Sequence, residues 1–202
     1  MAIRQARRAD TAVHRHLFAA ARKAFVREGY ERASLNAILL EAGVGKGSFF
    51  HFFKNKEDLF ASVLEDALAR VKAAAGLVEL PTDARRFWVE GIAIIERWGM
   101  AAAAEPGFLR LLRALQPLRR KPSARLRRVA HEVDSVYRKL LERGIELGVV
   151  RSDLPIDTLV ALTDAVDTVL DDGFHRQASP SASAIQAHRA RVIETVQRLL
   201  RP

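Results

Sequence analysis

The feature that most constrains this chain is its hydrophobic periodicity, which is helical along the whole sequence. No segment of the 202 residues shows sustained alternation of apolar and polar side chains, and Ala, Leu, Arg and Glu dominate. Glycine and proline divide the chain into about nine helical stretches. The pattern therefore predicts an all-α protein.

The N-terminal stretches are short and have clear start and stop signals. A first helix is expected from near Thr11 to Arg27, with its apolar residues on one stripe, and Gly29 is expected to stop it. Ser34 is suited to cap a second helix that ends at Gly43, and a very short third helix follows over Lys46–Phe52. Asn55 is suited to cap a fourth helix. This grouping predicts a small three-helix unit before the longer helices.

The later stretches are longer and carry wide apolar stripes. A seventh helix, capped by Ser123 and running through Leu140, has apolar residues at alternating spacings of three and four. The eighth and ninth predicted helices, which follow Pro155, have apolar stripes that two helices of a monomer cannot readily bury. We therefore expect a homodimer in which these helices form a four-helix bundle. The expected interface residues are Leu159, Leu162, Val166, Val169, Ile185, Val192, Val196 and Leu199.

Composition excludes several classes of protein. The chain has no cysteine, which excludes disulfides, thiolate zinc sites and a cysteine nucleophile. Its histidines form no metal-binding pair, and no nucleophile elbow, P-loop or dinucleotide fingerprint is present, so we expect no enzyme activity, metal or cofactor. Neither a membrane-spanning apolar run nor a secretory signal is found, which favours a cytoplasmic location without a membrane partner.

The net charge of +9 points to a polyanionic partner. The first 60 residues hold 11 Lys and Arg against 6 Asp and Glu, so the excess is concentrated near the N-terminus. Two readings remain open from charge and helical content alone. One is an architectural protein that binds DNA without sequence preference, and the other is a helical enzyme with a vestigial DNA-binding segment.

The segment 34–60 is the most informative part of the sequence. Gly43 can adopt positive φ in a tight turn, and Val44 can plug the space between the two short helices. Phe49, Phe52 and Phe53 are spaced to form one buried face. The other face is small and polar enough to enter a major groove. It carries Lys46, Gly47, Ser48, Phe50 and His51.

These residues resemble the N-terminal signature of the tetracycline-repressor (TetR) family. The resemblance spans residues 12–62, and beyond it only the number and length of the helices match. The matching residues of the signature are Ile38, Ala42, Gly43, Val44, Lys46, Gly47, Ser48, Phe53, Lys56, Glu57 and Leu59. Upstream, the matching residues are Phe18, Ala21, Phe25, Gly29 and Tyr30.

The resemblance implies a ligand-responsive transcriptional regulator, most simply a repressor. Residues 1–55 would form the helix-turn-helix domain, and residues 56–202 a larger helical domain for effector binding and dimerisation. The dimer would bind a palindromic operator on double-stranded DNA and be released by a small-molecule effector. Together with the basic residues around the motif, the expected DNA contacts are Ser34, Lys46, Gly47, Ser48, Phe50, His51, Lys54 and Lys56.

Three positions depart from the family pattern. Gly45 stands where a serine is usual, Leu39 where an alanine is usual, and Phe50 where a tyrosine is usual. Residue 50 lies about 100° around the helix from residue 49, toward the side expected to face DNA. We expect the Phe50 ring to pack on a thymine methyl group or a sugar. The alternative is that Phe50 packs against the fourth helix.

Two further features have open interpretations. Trp88, Trp98, Phe108, His131 and Tyr137 are candidates for lining an apolar effector cavity, although the aromatic residues can equally be plain core. The tract Arg110–Arg128 contains eight basic residues and no acidic residue. It is either a solvated surface, a site for an anionic effector, or an auxiliary contact to DNA.

Overall fold

Helices make up all the regular secondary structure that the computed structural model describes. It describes the backbone of residues 2–175 and 181–202, and their side chains except those of residues 2–13, 167, 168, 171–175, 182 and 185. The predicted all-α class is confirmed. The helices are α1 (Ala2–Arg32), α2 (Leu35–Ala42), α3 (Lys46–Phe52), α4 (Lys56–Ala75), α5 (Phe87–Ala104), α6 (Phe108–Leu115), α7 (Ala124–Val133), α8 (Ser135–Glu146), α9 (Ile156–His175) and α10 (Ala182–Leu200), with a 3₁₀ turn at Gln116–Arg120.

The first helix is longer than its apolar stripe indicates. The stripe predicts a start near Thr11, whereas α1 begins at Ala2. Gly29 does interrupt the helix, because it adopts φ 75° and ψ 174°, but the chain resumes helical geometry as far as Arg32. Glycine is suited to this break because it lacks the Cβ that disfavours positive φ.

The predicted seventh helix is two helices in the structure. Asp134, with φ −78° and ψ −5°, is a turn residue that separates α7 from α8. Aspartate favours such a position because its carboxylate competes for nearby backbone groups. The apolar spacing continues across the break, so periodicity alone does not reveal it.

The chain forms two compact units, and the break at Asp134 is one boundary between them. The first unit comprises the chain up to Gly76 together with Trp98–Val133. The second unit comprises Leu77–Arg97 and the described chain from Asp134 onward. The boundary after residue 55, which divides the predicted DNA-binding domain from the predicted effector domain, concerns function and stays a prediction.

Aromatic residues of α1 and α4 form the centre of the first unit. Phe25 and Phe60 are fully buried, with ring centroids 5.1 Å apart in an edge-to-face arrangement. The Tyr30 ring lies 5.3 Å from that of Phe60. Such pairs stabilise a core beyond the burial of their area.

A largely buried carboxylate joins three segments of the first unit. Glu105, at the corner between α5 and α6, accepts hydrogen bonds from Arg22 of α1 and from Nε of Arg70 of α4, the latter at 3.1 Å. Arg22 Nη2 also donates to the carbonyl of Pro106 at 2.7 Å. This network positions α1 against both α4 and the start of α6.

The second unit packs α8 closely against its neighbours. A Cβ atom on Gly144 would collide with the side chain of Val150 and lie 2.6 Å from Cζ of Phe87, so only glycine fits. The amide of Arg151 donates to the carbonyl of Leu200 at 2.7 Å, which ties the loop after α8 to the end of α10.

No helix in the described part of the chain is both long and apolar enough to cross a membrane.

Candidate nucleic-acid interface

The turn between α2 and α3 is formed as the sequence predicts. Ser34 Oγ accepts a hydrogen bond from the amide of Ala37 at 3.5 Å and caps α2. Gly43 ends α2 with φ 66° and ψ 30°. Val44 follows with a buried side chain, and its amide donates to the carbonyl of Leu39 at 2.9 Å. The two short helices are therefore held together by caps and by one apolar plug.

Helix α3 has one buried face and one exposed face. Phe49 is fully buried, and its ring stacks at 5.8 Å on that of Phe53, which is also buried. Phe52, predicted to share this face, is only half-buried. All the residues predicted for the opposite face are exposed: Lys46, Gly47, Ser48, Phe50 and His51. The structure thus separates a packed side from a free side along two turns of helix.

Gly47 has no structural reason to be glycine within this chain. A Cβ atom at this position would meet nothing within 4 Å, and its φ lies outside the positive range that favours glycine. The same holds for Gly45, which precedes α3 and offers no side-chain cap. Absent side chains let an external surface approach the backbone amides at the start of α3 closely.

Phe50 is a solvent-facing aromatic residue. Its side chain is 59% exposed, and its ring contacts the neighbouring Phe49 ring at 5.1 Å. This exposure is far more than a core phenylalanine shows. Phe50 is therefore not a core residue, and whether its ring contacts DNA or rests against the fourth helix stays open to test.

Lys56 is held by the protein itself. Its Nζ donates to the carbonyls of Tyr30 at 2.9 Å and Ala33 at 3.1 Å, and lies 4.3 Å from the centre of the Tyr30 ring. The ammonium therefore stabilises the end of α1, where carbonyls lack helical partners. Sequence reasoning missed this role, because Tyr30 is 26 residues away. Lys54, by contrast, is exposed.

Replacing Lys56 by methionine is expected to lower the free energy of unfolding by about 1–3 kcal/mol. The change removes charged hydrogen bonds to carbonyls and a cation–π contact while it keeps the aliphatic stem. Urea denaturation followed by circular dichroism measures the loss. Lys54→Met, two residues away and exposed, is the matched control and should change stability by less than about 0.5 kcal/mol. Equal stability of the two variants contradicts the assigned role of Lys56.

The start of α4 is anchored by an ion pair to α7. Arg125 donates to Asp58 Oδ1 at 2.7 Å and to Glu65 Oε2 at 2.5 Å. Burial alone would raise the pKa of the Asp58 carboxyl, but the amide of Lys54 and the guanidinium of Arg125 together hold that pKa below its ordinary value. The pair therefore stabilises the fold above the ordinary aspartate pKa, and this stabilisation is lost as pH falls through the lowered pKa.

The second unit contains a mostly apolar cavity of about 130 Å³. Helices α5, α8, α9 and α10 supply its walls. Among the described residues of its lining, Glu96 carries the only charge. The apolar lining includes Phe87, Ile92, Ile95, Leu140, Val192 and Val196. A cavity of this size and character suits a small apolar molecule.

The five candidate effector residues do not lie together. Trp88 and Tyr137 line the cavity of the second unit. Phe108 is buried in the core of the first unit, and Trp98 packs against that core. His131 is exposed on α7. Trp98, Phe108 and His131 do not line the cavity, because all three belong to the segment Trp98–Val133 of the first unit.

The residues predicted for a dimer interface differ in exposure. Leu159 is fully buried inside its own unit, so its side chain is not available to a partner. Val169 of α9 is 70% exposed, while the side chain of Ile185 lies outside the described residues. The remaining positions are partly exposed, and two of them, Val192 and Val196, also line the cavity. Those partly exposed positions are Leu162, Val166, Val192, Val196 and Leu199.

Comparison with known proteins gives the same assignment as the helix-turn-helix geometry. The family model described as bacterial regulatory proteins, tetR family, matches residues 17–63. The chain is 35% identical to the HTH-type transcriptional repressor AcnR of Corynebacterium diphtheriae, over 79% of this chain and 77% of that protein. It is 32% identical to AcnR of Corynebacterium glutamicum, over 81% of this chain and 80% of that protein.

Solved structures share the fold. A putative TetR-family transcriptional regulator from Vibrio parahaemolyticus is 17% identical, with a TM-score of 0.61 over 94% of this chain and 99% of that one. The family and these relatives are DNA-binding transcriptional regulators and not enzymes. From the motif, the fold and relatives of this identity and coverage, we conclude that the chain belongs to the TetR family of bacterial transcriptional regulators.

Proposed function

We propose that this regulator is a repressor that binds a palindromic operator as a homodimer and leaves it when a small molecule occupies the cavity of the second unit. The observation that carries the proposal is the exposed face of α3. Apart from Phe50 it is polar, and it includes Gly47, a glycine that neither packing nor φ explains. Behind it lies the buried aromatic face of Phe49 and Phe53. These are the properties of a helix that inserts into the major groove.

Repression is supported by the two AcnR relatives, both of which are named as transcriptional repressors. The effector we propose is small and apolar, because Glu96 is the only charged residue in the described lining of the cavity. To release DNA, the ligand needs to favour the state that does not bind DNA by about 1–3 kcal/mol.

Helix α5 offers a covalent route for this coupling. Gly91, Ile92 and Ile95 in its first half line the cavity. Its other end leads into Glu105, which is hydrogen-bonded to α1 and α4 of the first unit. A ligand that displaces α5 would therefore bias the helices that support α2 and α3.

Selection of bound sequences from random double-stranded DNA tests the operator proposal. The full-length protein is expected to enrich an inverted repeat, since the symmetry of a dimer is mirrored in its site. An excess of random DNA should compete poorly with the selected sequence. Recovery of no inverted repeat overturns the proposal. Equal competition by random DNA would instead support the architectural DNA-binding reading.

Replacing Val169 by aspartate is expected to dissociate the dimer at micromolar concentration. The side chain is 70% exposed in a single chain, so the change should leave the subunit folded, yet it would bury a charge if α9 meets a partner. Light scattering measures the mass in solution. Val89→Asp is the matched control, because Val89 is 74% exposed but lies on α5. A Val169→Asp variant that remains dimeric excludes this part of α9 from the interface.

A further inference from the structure

A cleft between α1 and α6 collects four arginines within the first unit. Its volume is about 280 Å³, and its rim carries Arg27 and Arg32 from α1 and Arg110 and Arg113 from α6. Glu28 is the one acidic residue in the described lining, so the cleft has a net charge of +3. It shares no lining residue with the apolar cavity, which belongs to the second unit.

The two walls of the cleft are held at a fixed spacing. Gly107, which precedes α6, has φ 79°, and a Cβ atom there would lie 2.6 Å from Cγ2 of Val26 on α1. The backbone at Gly107 therefore packs directly against the side chain of Val26. Arg22 of α1 also bonds to the carbonyl of Pro106, one residue earlier. These contacts fix the spacing of the two helix segments that carry the arginines, so a ligand need not pay for bringing the two walls together.

The arginines of α6 have unused hydrogen-bonding capacity. Arg27 bonds through Nε to the Glu28 carboxylate at 3.1 Å, and Nε of Arg32 bonds to the Glu28 carbonyl at 3.1 Å. In the described part of the chain, the guanidiniums of Arg110 and Arg113 form no hydrogen bond or ion pair. They are three residues apart, so they share one helix face and repel one another.

Arg125, Arg127 and Arg128, at the end of the basic tract Arg110–Arg128, do not line the cleft. Arg125 is occupied by the carboxylates of Asp58 and Glu65, and therefore has a structural role. Arg127 and Arg128 are exposed on α7 and do not line the cleft. The tract Arg110–Arg128 is thus not one uniform surface, and its first two arginines are the ones that face a concave site.

We propose that the α1–α6 cleft binds a phosphate group. Arginine presents a planar fork of N–H donors that matches the oxygens of phosphate in bidentate geometry. Two free forks on one wall, with further positive charge on the other, would neutralise a doubly charged group. The group has two possible sources, a free phosphorylated molecule or the DNA backbone. The second is suggested by Arg32, two residues before the α2 cap Ser34.

Two double variants test the proposal on the full-length protein. Arg110→Gln with Arg113→Gln removes the free guanidiniums of the cleft. Arg127→Gln with Arg128→Gln removes the same charge from the same tract outside the cleft and serves as the control. Thermal unfolding is measured in sodium pyrophosphate and in sodium chloride of matched ionic strength. Binding to a short duplex of random sequence is measured as a function of salt, and this readout does not depend on knowing the operator.

A site for free phosphate predicts that pyrophosphate raises the Tm of the wild type and of the control by about 3 °C and leaves the cleft variant unchanged. A site for the DNA backbone predicts that the slope of log K against log salt decreases by about 1–2 in the cleft variant and not in the control. Either result supports the phosphate site and identifies its source. If the two double variants behave alike in both measurements, the proposal is wrong.

Discussion

Replacing Phe49 by alanine is expected to lower the free energy of unfolding by about 3–5 kcal/mol, the largest stability loss we expect on α3. The Phe49 side chain has no exposed surface, and its ring stacks on that of Phe53. Truncation removes the buried ring and leaves a cavity where the ring packed on Phe53. Urea denaturation followed by circular dichroism measures the change.

Phe50 provides the control for this prediction at the next position in the chain. Because it is 59% exposed, Phe50→Ala should change stability by less than about 0.5 kcal/mol. If its ring packs on a thymine methyl group or a sugar, the same variant should bind the operator more weakly. Phe50→Tyr should bind as well as the wild type, or more tightly by about 1 kcal/mol if the hydroxyl reaches a phosphate. Equal stability losses in Phe49→Ala and Phe50→Ala would contradict the division of α3 into two faces.

The helix-turn-helix could be predicted almost to the residue because its signals are local. Ser34 caps the helix that directly follows it, and Gly43 ends the same helix nine residues later. Asn55 likewise caps α4 through the amide of Asp58 at 2.9 Å. Capping and positive-φ glycine act within one turn of helix, so a single sequence is sufficient to read them.

The division of the longer helices could not be predicted in the same way. Periodicity shows that a helix has an apolar face but not which core that face joins. Phe108 and Trp88 are both aromatic residues on amphipathic helices, yet one lies in the core of the first unit and the other lines the cavity of the second. Periodicity also does not reveal the break at Asp134, because the apolar spacing continues across it.

Hydrogen-bond and ion-pair partners that are distant in sequence could not be predicted either. The lysines of the motif look alike in sequence, but Lys56 is half-buried and bound to carbonyls at the end of α1. Arg22 and Glu105 pair across 83 residues. Arg125 lies within a run of basic residues but forms ion pairs with the carboxylates of Asp58 and Glu65. Long side chains with a charged end can reach several partners, and only the tertiary fold selects one.

The central claim is that the exposed face of α3 binds the operator, and substitution of Gly47 tests it most directly. Gly47→Leu should leave the protein as stable as the wild type or slightly more so, since a Cβ atom meets nothing within 4 Å and leucine favours helix more than glycine. The side chain would, however, project from the face that approaches DNA. Gly99→Leu is the matched control, because Gly99 is an exposed glycine on α5 that is equally free of contacts.

Affinity for the operator recovered by selection is the measurement that decides. We expect Gly47→Leu to weaken binding by at least about 100-fold, which corresponds to about 2.7 kcal/mol, while Gly99→Leu binds as the wild type does. Circular dichroism and thermal unfolding establish that both variants are folded. A folded Gly47→Leu variant with wild-type affinity for the operator would show that α3 does not enter the groove, and would contradict the account.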